Sequence, residues 1–424
     1  MEKAQNLLAS ERSAGNGLLN RRLFLAGGIS AAGVAMSPIS SAESDVPARH
    51  AWMQSPGRPL GKYGQPSKHE AAVIREGIGS QPGTLGSGAS RTPLQDLRGT
   101  ITPSGLHFER HHSGIPDINP EQHELFIHGL VEQPLRFNME SLSRYPLTTR
   151  TYFLECSGNS APNLATAAPQ VSCGRIHGLV SASEWTGIPL SVLLDEAGVK
   201  SQAKWVVAEG ADAARLNRSI PLDKILDDAM LALYQNGERL RPEQGYPMRL
   251  FLPGFEGNTS VKWLHRLEVS ATPAMSRQET SKYTDLLPDG TSEMFTFEMG
   301  IKSVITSPSG EQQLPGRGYY EITGLAWSGQ GPVRQVEVSA DGGVSWAPAM
   351  LEEPVLDKSL TRFRIPWHWD GTPCVLMSRA ADSSNTQPSR AEHIRMKGHS
   401  SFYHYNAIQA WQVTGTGGVS NVFV

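Results

Sequence analysis

The chain has 424 residues, 39% hydrophobic and 19% charged, with 42 Gly and 29 Pro, a balance too apolar for disorder and too interrupted for long coiled coils. At roughly 100–200 residues per domain, this length predicts two or three domains. The 38 Lys and Arg against 41 Asp and Glu leave a formal net charge of −3, so no basic field exists to hold nucleic acid by counterion release.

The N-terminus reads Asn20-Arg21-Arg22-Leu23-Phe24-Leu25, then a weakly apolar stretch to Ile39 and the small residues Ser40-Ser41-Ala42. A charged pair, a modest apolar run and a small-residue cleavage site form a twin-arginine export signal over 1–42, which predicts a periplasmic protein. No uncharged segment elsewhere approaches the roughly 20 apolar residues needed to span a bilayer. Residues 43–100 are rich in Gly, Pro and Ser with little periodicity, as in Ser55-Pro56-Gly57-Arg58-Pro59, and read as an extended arm.

Over 101–294, short apolar runs such as Leu125-Phe126-Ile127, Trp205-Val206-Val207 and Arg249-Leu250-Phe251-Leu252 alternate with helical patterns over Leu190–Ala197 and Leu222–Leu231. That mixture predicts an α+β domain. Over 295–424 strands recur about every ten residues, at Tyr319–Trp327, Val333–Ser339, Arg362–Trp367 and Val375–Ala380, with Asp341-Gly342-Gly343 as a turn. This spacing predicts an immunoglobulin-like β-sandwich, with continuation of the first domain's sheet as the alternative.

Cys156, Cys173 and Cys374 allow at most one disulfide, and none is spaced as CxxC, so a disulfide framework and a cysteine-rich zinc site are both excluded. CxxCH is absent, so this chain attaches no c-type haem covalently. His123 and His128 are five apart instead of the four of HExxH, and on a strand they face opposite sides. P-loop, GxGxxG and GxSxG patterns are also absent.

The informative segment is Thr151-Tyr152-Phe153-Leu154-Glu155-Cys156-Ser157-Gly158-Asn159, an apolar strand ending in a thiol at the edge of a turn. A buried structural cysteine explains the spacing equally well. Three further stretches bring polar groups to the ends of apolar runs: Leu106-His107-Phe108-Glu109-Arg110-His111-His112, Gly245-Tyr246-Pro247-Met248-Arg249, and Gly257-Asn258-Thr259-Ser260-Val261-Lys262-Trp263. Singly these are ordinary surface charges and loop histidines. Together with the cysteine they can cradle an anion, because a phosphate-bearing ligand wants guanidinium forks, an ammonium and backbone N–H groups.

In this order, the segments resemble the sulfite oxidase family of molybdenum enzymes, across almost all of the chain after residue 100. The resemblance implies a molybdopterin domain followed by an immunoglobulin-like dimerisation domain, with a molybdenum–molybdopterin cofactor. It implies Cys156 as the metal ligand, in Cys156-Ser157-Gly158-Asn159. Phe108, Arg110, His111, His112, Asp212, Gln244, Arg249, Ser260, Val261 and Lys262 would bind the pterin, and Tyr283 with Arg110 would face the substrate. Gln244 stands where a histidine is frequent. Sulfite oxidases also commonly follow Gly-Asn with arginines that hold the sulfite dianion, whereas here Ser160-Ala161-Pro162 follows.

Within the family the chain is similar to the sulfane dehydrogenases of bacterial thiosulfate oxidation. That implies a two-electron oxidation of sulfane sulfur on a carrier protein, with electrons passed to a separate c-type cytochrome subunit. It also implies a homodimer through the C-terminal domain, forming a heterotetramer with the cytochrome. A periplasmic sulfite dehydrogenase with the same cofactor is the alternative, and a non-catalytic secreted binding protein with an empty pocket is a third reading from another class.

Overall fold

The computed structural model describes residues 13–19, 50–80, 85–400 and 402–424. The Arg21-Arg22 pair and the stretch through Ala42 lie outside the described residues. Ser13–Leu19, inside the same leader reading, pack on the C-terminal half: Leu18 is fully buried and bridges Trp367, whose Nε1–H donates to the Asn16 carbonyl at 2.8 Å.

The arm holds more regular structure than its composition suggests. Glu76–Ser80 and Gly88–Arg91 pair antiparallel, and the second of these strands pairs with Glu109–His111, opposing Ala89 to Arg110. The arm therefore braces the strand that carries Arg110.

Two sheets build the first domain. One orders Leu135–Asn138, Glu124–Gly129, Leu264–Ser270, Trp205–Gly210 and Asn217–Pro221, with a single parallel pairing of Leu264–Ser270 to Glu124–Gly129. The other orders Glu238–Arg239, Met230–Gln235, Val180–Pro189 and Thr148–Glu155, and Arg249–Phe251 also pairs with Met230–Gln235. The helix Leu190–Ala197 buries Leu190, Leu193, Leu194 and Ala197, one face at helical spacing, and Gly198 ends it at φ +69°. The helix starting at Leu222 stops at Asp227, short of the expected Leu231. Met, Leu and Ala are good helix formers, but Met230–Gln235 has strands on both sides to pair with, and tertiary pairing overrides that weak preference.

The second domain is a sandwich of two antiparallel sheets. One orders Lys302–Ser307, Gly318–Trp327, Thr361–Trp369 and Met350–Leu351; its partner orders Ala347–Pro348, Gln335–Ser339, Cys374–Ala381, Ala410–Val413 and Val419–Val422. Thr361–Trp369 alternates buried and half-buried residues, so Phe363, Ile365, Trp367 and Trp369 face the core, as a half-covered strand requires. That core continues into the first domain through Phe153, Cys173, Ile176, Val180 and Ala182. The two domains share one apolar interior, and Cys156 lies at the end of the strand that enters it. The fold is α+β, a molybdopterin-type domain followed by a sandwich, as the sequence predicts.

Candidate active site

The strand Thr148–Glu155 delivers Cys156 to a cleft of about 660 Å3, its open mouth included. Phe108, Arg110, His111, His112, Asp212, Gln244, Arg249, Ser260, Lys262 and Tyr283 line the same cleft. Segments up to 175 positions apart in the chain meet here, from Phe108 to Tyr283.

Val261 is the exception among the expected residues. Its side chain sits in the first domain's core, its N–H donates to the Thr259 carbonyl, and its own carbonyl accepts from Leu250 N–H. Val261 does not line the cleft, and with both backbone groups already bonded within the protein it anchors the turn between Ser260 and Lys262. Leu154, Leu216, Gly257, Asn258 and Trp263 also line the cleft without having been singled out as ligand-binding. Gly257 could have been: its N–H donates to the Glu155 carbonyl at 2.7 Å, and an added Cβ would stand 2.7 Å from that oxygen. Trp263 holds φ +52°, a conformation L-residues rarely adopt, pinned by its Nε1–H donating to the Pro242 carbonyl and by Lys262 Nζ over its ring at 4.6 Å.

The deep wall is cationic. Arg249 is buried, donating through Nη1 to the Gln244 carbonyl (3.1 Å) and through Nη2 to the Ser260 carbonyl (2.9 Å). Burial pulls it down to about 9, which leaves it charged at neutral pH. Lys262 Nζ donates to the Arg110 and Glu243 carbonyls and meets His111 Nδ1 at 2.8 Å; burial, then the charge of Arg249, holds it well below the usual lysine range. Gln244 donates to the Phe108 carbonyl at 3.0 Å, and the buried Asp212 accepts from Ser113 Oγ at 3.2 Å.

Nearer the mouth, Arg110 Nη1 donates to the His111 carbonyl and, at 3.4 Å, to the Gly88 carbonyl. His112 Nε2 lies 3.0 Å from the Tyr283 hydroxyl. Burial and the Arg110 charge hold His112 at about 4, hence neutral, while burial and the Cys156 thiolate push the Tyr283 phenol above its ordinary value. The Cys156 thiol is also raised by burial, opposed by the Gly158 N–H and by Arg110.

These residues fit a molybdenum–molybdopterin group. A thiol is a soft ligand, and metal binding deprotonates it whatever its free acidity. Among the described residues, Arg110, Arg249 and Lys262 make no ion pair with a carboxylate, and Arg249 Nε and Asn258 Oδ1 are buried with no partner. A cluster of buried cations and orphaned polar atoms needs an anionic, hydrogen-bonding occupant.

Comparison with known proteins gives the same chemistry. Residues 112–278 match the model of an oxidoreductase molybdopterin binding domain, and residues 293–410 that of a Mo-co oxidoreductase dimerisation domain. The chain is 32% identical over 314 residues to the NADH nitrate reductase of Cichorium intybus, covering 66% of this chain and 34% of that protein. It is 33% identical over 352 residues to an NADH nitrate reductase of Arabidopsis thaliana, covering 71% of this chain and 37% of that protein. It thus spans about a third of the length of these plant enzymes. The crystal structure of the sulfane dehydrogenase SoxCD from Paracoccus pantotrophus is 43% identical, with a TM-score of 0.88, covering 91% of this chain and all of that one. A thiol and a cationic wall arranged for molybdopterin, joined to a dimerisation sandwich, place this chain in the sulfite oxidase family of molybdenum cofactor oxidoreductases.

Proposed function

We propose that the chain oxidises sulfane sulfur carried on a protein cysteine, as one step of thiosulfate oxidation, and passes the electrons to a c-type cytochrome subunit. The supply of positive charge at the mouth is the observation that carries this reading. Lys262 and Arg249 are committed to carbonyls at the deep wall, and Ser160, where many relatives place an arginine, turns its hydroxyl to Lys302 and His177 instead of to the cleft. Arg110 gives only Nη1 to carbonyls, which leaves its other guanidinium nitrogens for the substrate. One cation suits a persulfide monoanion better than the sulfite dianion, which needs more compensating charge in a partly dry pocket. The 43% identity to a sulfane dehydrogenase supports the same choice.

When bound, the cofactor supplies the two-electron redox change and delivers oxygen to sulfur. The protein's own groups hold and orient. Cys156 anchors the metal at the floor, and Arg249, Lys262 and Gln244 hold the pterin side. Arg110 draws the anionic sulfur inward. In the tautomer that carries its proton on Nε2, His112 donates to the phenol oxygen and leaves the Tyr283 O–H free to donate to charge developing on the oxidised sulfur. Electrons would leave one at a time, because a haem accepts one electron, and would go to a separate cytochrome, because this sequence carries no CxxCH motif. The twin-arginine leader would carry the folded protein to the periplasm, and the sandwich would pair two copies into a heterotetramer with the cytochrome.

The test is turnover with persulfidated carrier and purified c-type cytochrome, against turnover with free sulfite. Efficient sulfite oxidation and inert carrier would replace this reading with a sulfite dehydrogenase. Cys156→Ser abolishes both activities if the site is the one described; retained activity would remove Cys156 from it.

A further inference from the structure

The loop that presents Cys156 is held largely by the dimerisation domain. Glu155, one residue before the thiol, is 1% exposed, and its Oε1 accepts from Lys302 Nζ at 3.1 Å and Asn159 Nδ2 at 2.8 Å. Its Oε2 accepts from Trp327 Nε1 at 2.6 Å. Lys302, also 1% exposed, spends its two other donors on Ser160 Oγ (2.6 Å) and the Tyr405 carbonyl (2.8 Å). All three protons of the ammonium are therefore satisfied.

Ser160 holds φ +68°, and its hydroxyl also meets His177 Nδ1 at 2.7 Å, whose Nε2 meets Gln409 Oε1 at 3.0 Å. His404 N–H donates to the Ser157 carbonyl at 2.7 Å. Lys302, Trp327, His404, Tyr405 and Gln409 all belong to the sandwich half of the chain. A left-handed serine and a buried ion pair survive only where their surroundings fix them, and a buried ion pair adds little stability by itself. Its worth lies in fixing geometry and local charge beside the thiolate.

We propose that Lys302 and Trp327 are positioning residues for the metal ligand: through Glu155 and Ser160 the dimerisation domain sets where the Cys156 sulfur sits and the electrostatic field at the metal it holds. This rests on Cys156 holding molybdenum. Outer partners of a metal ligand tune both affinity and redox behaviour, and here they come from the other domain. The two charges act with opposite sign. Removing the Glu155 carboxylate leaves Lys302 uncompensated and stabilises the reduced centre, whereas removing the Lys302 ammonium does the reverse.

The experiment compares Glu155→Gln, Lys302→Met, the double variant and Trp327→Phe as full-length protein loaded with cofactor. It reads molybdenum per chain, the Mo(V) electron paramagnetic resonance signal, and the midpoint potential by redox titration. The potential is expected to rise in Glu155→Gln, fall in Lys302→Met, and return towards the wild-type value in the double variant. Shifts of the same sign, or none, overturn the proposal, since a packing role alone has no charge sign. Trp327→Phe keeps a ring in the core and removes one hydrogen bond. In cofactor-free protein it is expected to speed alkylation of Cys156 by iodoacetamide about fivefold, the population shift that losing one hydrogen bond of about 1 kcal/mol allows. An unchanged rate counts against the clamp even if the charge variants do not load. A wild-type protein whose Mo(V) signal is unaltered by Cys156→Ser would instead defeat the ligand assignment itself.

Discussion

The Arg218 guanidinium carbon lies 4.7 Å from the centroid of the Tyr283 ring. Arg218 is 1% exposed and is forked onto Glu279, Nε to Oε1 at 3.0 Å and Nη2 to Oε2 at 3.1 Å, while Oε1 also accepts from Ser219 N–H at 2.7 Å. Its Nη1 is buried without a partner. The cation is thus held over the ring by its carboxylate partner, and the tyrosine is fixed between that cation and His112. Replacing one partner strands the other charge. Glu279→Gln is expected to destabilise the protein by about 3–5 kcal/mol, measured by denaturant unfolding, because an uncompensated buried charge is expensive. A loss under about 1 kcal/mol would mean water reaches Arg218.

Tyr283→Phe keeps the ring over Arg218 and loses only the hydroxyl that meets His112. The expected result is a fall in kcat of about a hundredfold, the scale of losing one preorganised donor, with little change in KM. Melting temperature should move little, since the phenylalanine ring fills the same space. Unchanged kcat would take Tyr283 out of the chemistry and leave it as a wall.

Arg249 donates to the Gln244 and Ser260 carbonyls at the deep wall of the cleft, and it keeps a spare buried Nε. Arg249→Lys preserves charge but not the planar fork, so it is expected to lower molybdenum content per purified chain by about 10–100-fold, nearly as far as Arg249→Met. Full occupancy in the lysine variant would show that charge alone holds the cofactor there.

Part of this site is readable in the residues alone, where polar groups sit at the ends of apolar runs, whereas Asp212, Gln244 and Tyr283 come only from the family resemblance. Arg110, Arg249 and Lys262 are charged residues within or beside strands, and Cys156 ends one. What stays hidden has physical causes. Val261 looks like its neighbours until the register of the turn puts it in the core. The Glu155–Lys302 pair joins residues 147 positions apart, and nothing local in either segment announces the other. The clustering of Leu18 with Trp367 is hidden for the same reason. The helical reading past Asp227 fails because Met, Leu and Ala carry no period strong enough to resist two neighbouring strands.

Acid should unfold the protein earlier than its carboxylates alone would dictate. Burial holds His107, His177 and His404 each at about 3, against 6.5 for an unfolded histidine. The unfolded chain then binds more protons than the fold below pH 6.5. Stability from these groups is fully present above 6.5 and lost as pH falls towards 3, at about 1.4 kcal/mol per pH unit per histidine. Glu256 acts in the opposite direction. Burial raises it to about 7, so its contribution is complete below the ordinary carboxyl range and is lost as pH rises to 7, offsetting roughly one histidine between 4.5 and 6.5. The net expectation is a midpoint of unfolding that drops steeply below pH 6, measured by urea titration at half-unit intervals. His177→Gln is expected to shallow that slope by one proton, and Glu256→Gln to steepen it between 4.5 and 6.5 while stabilising the protein at pH 8. Slopes identical to wild type in both variants would mean that these buried groups titrate normally in the folded state.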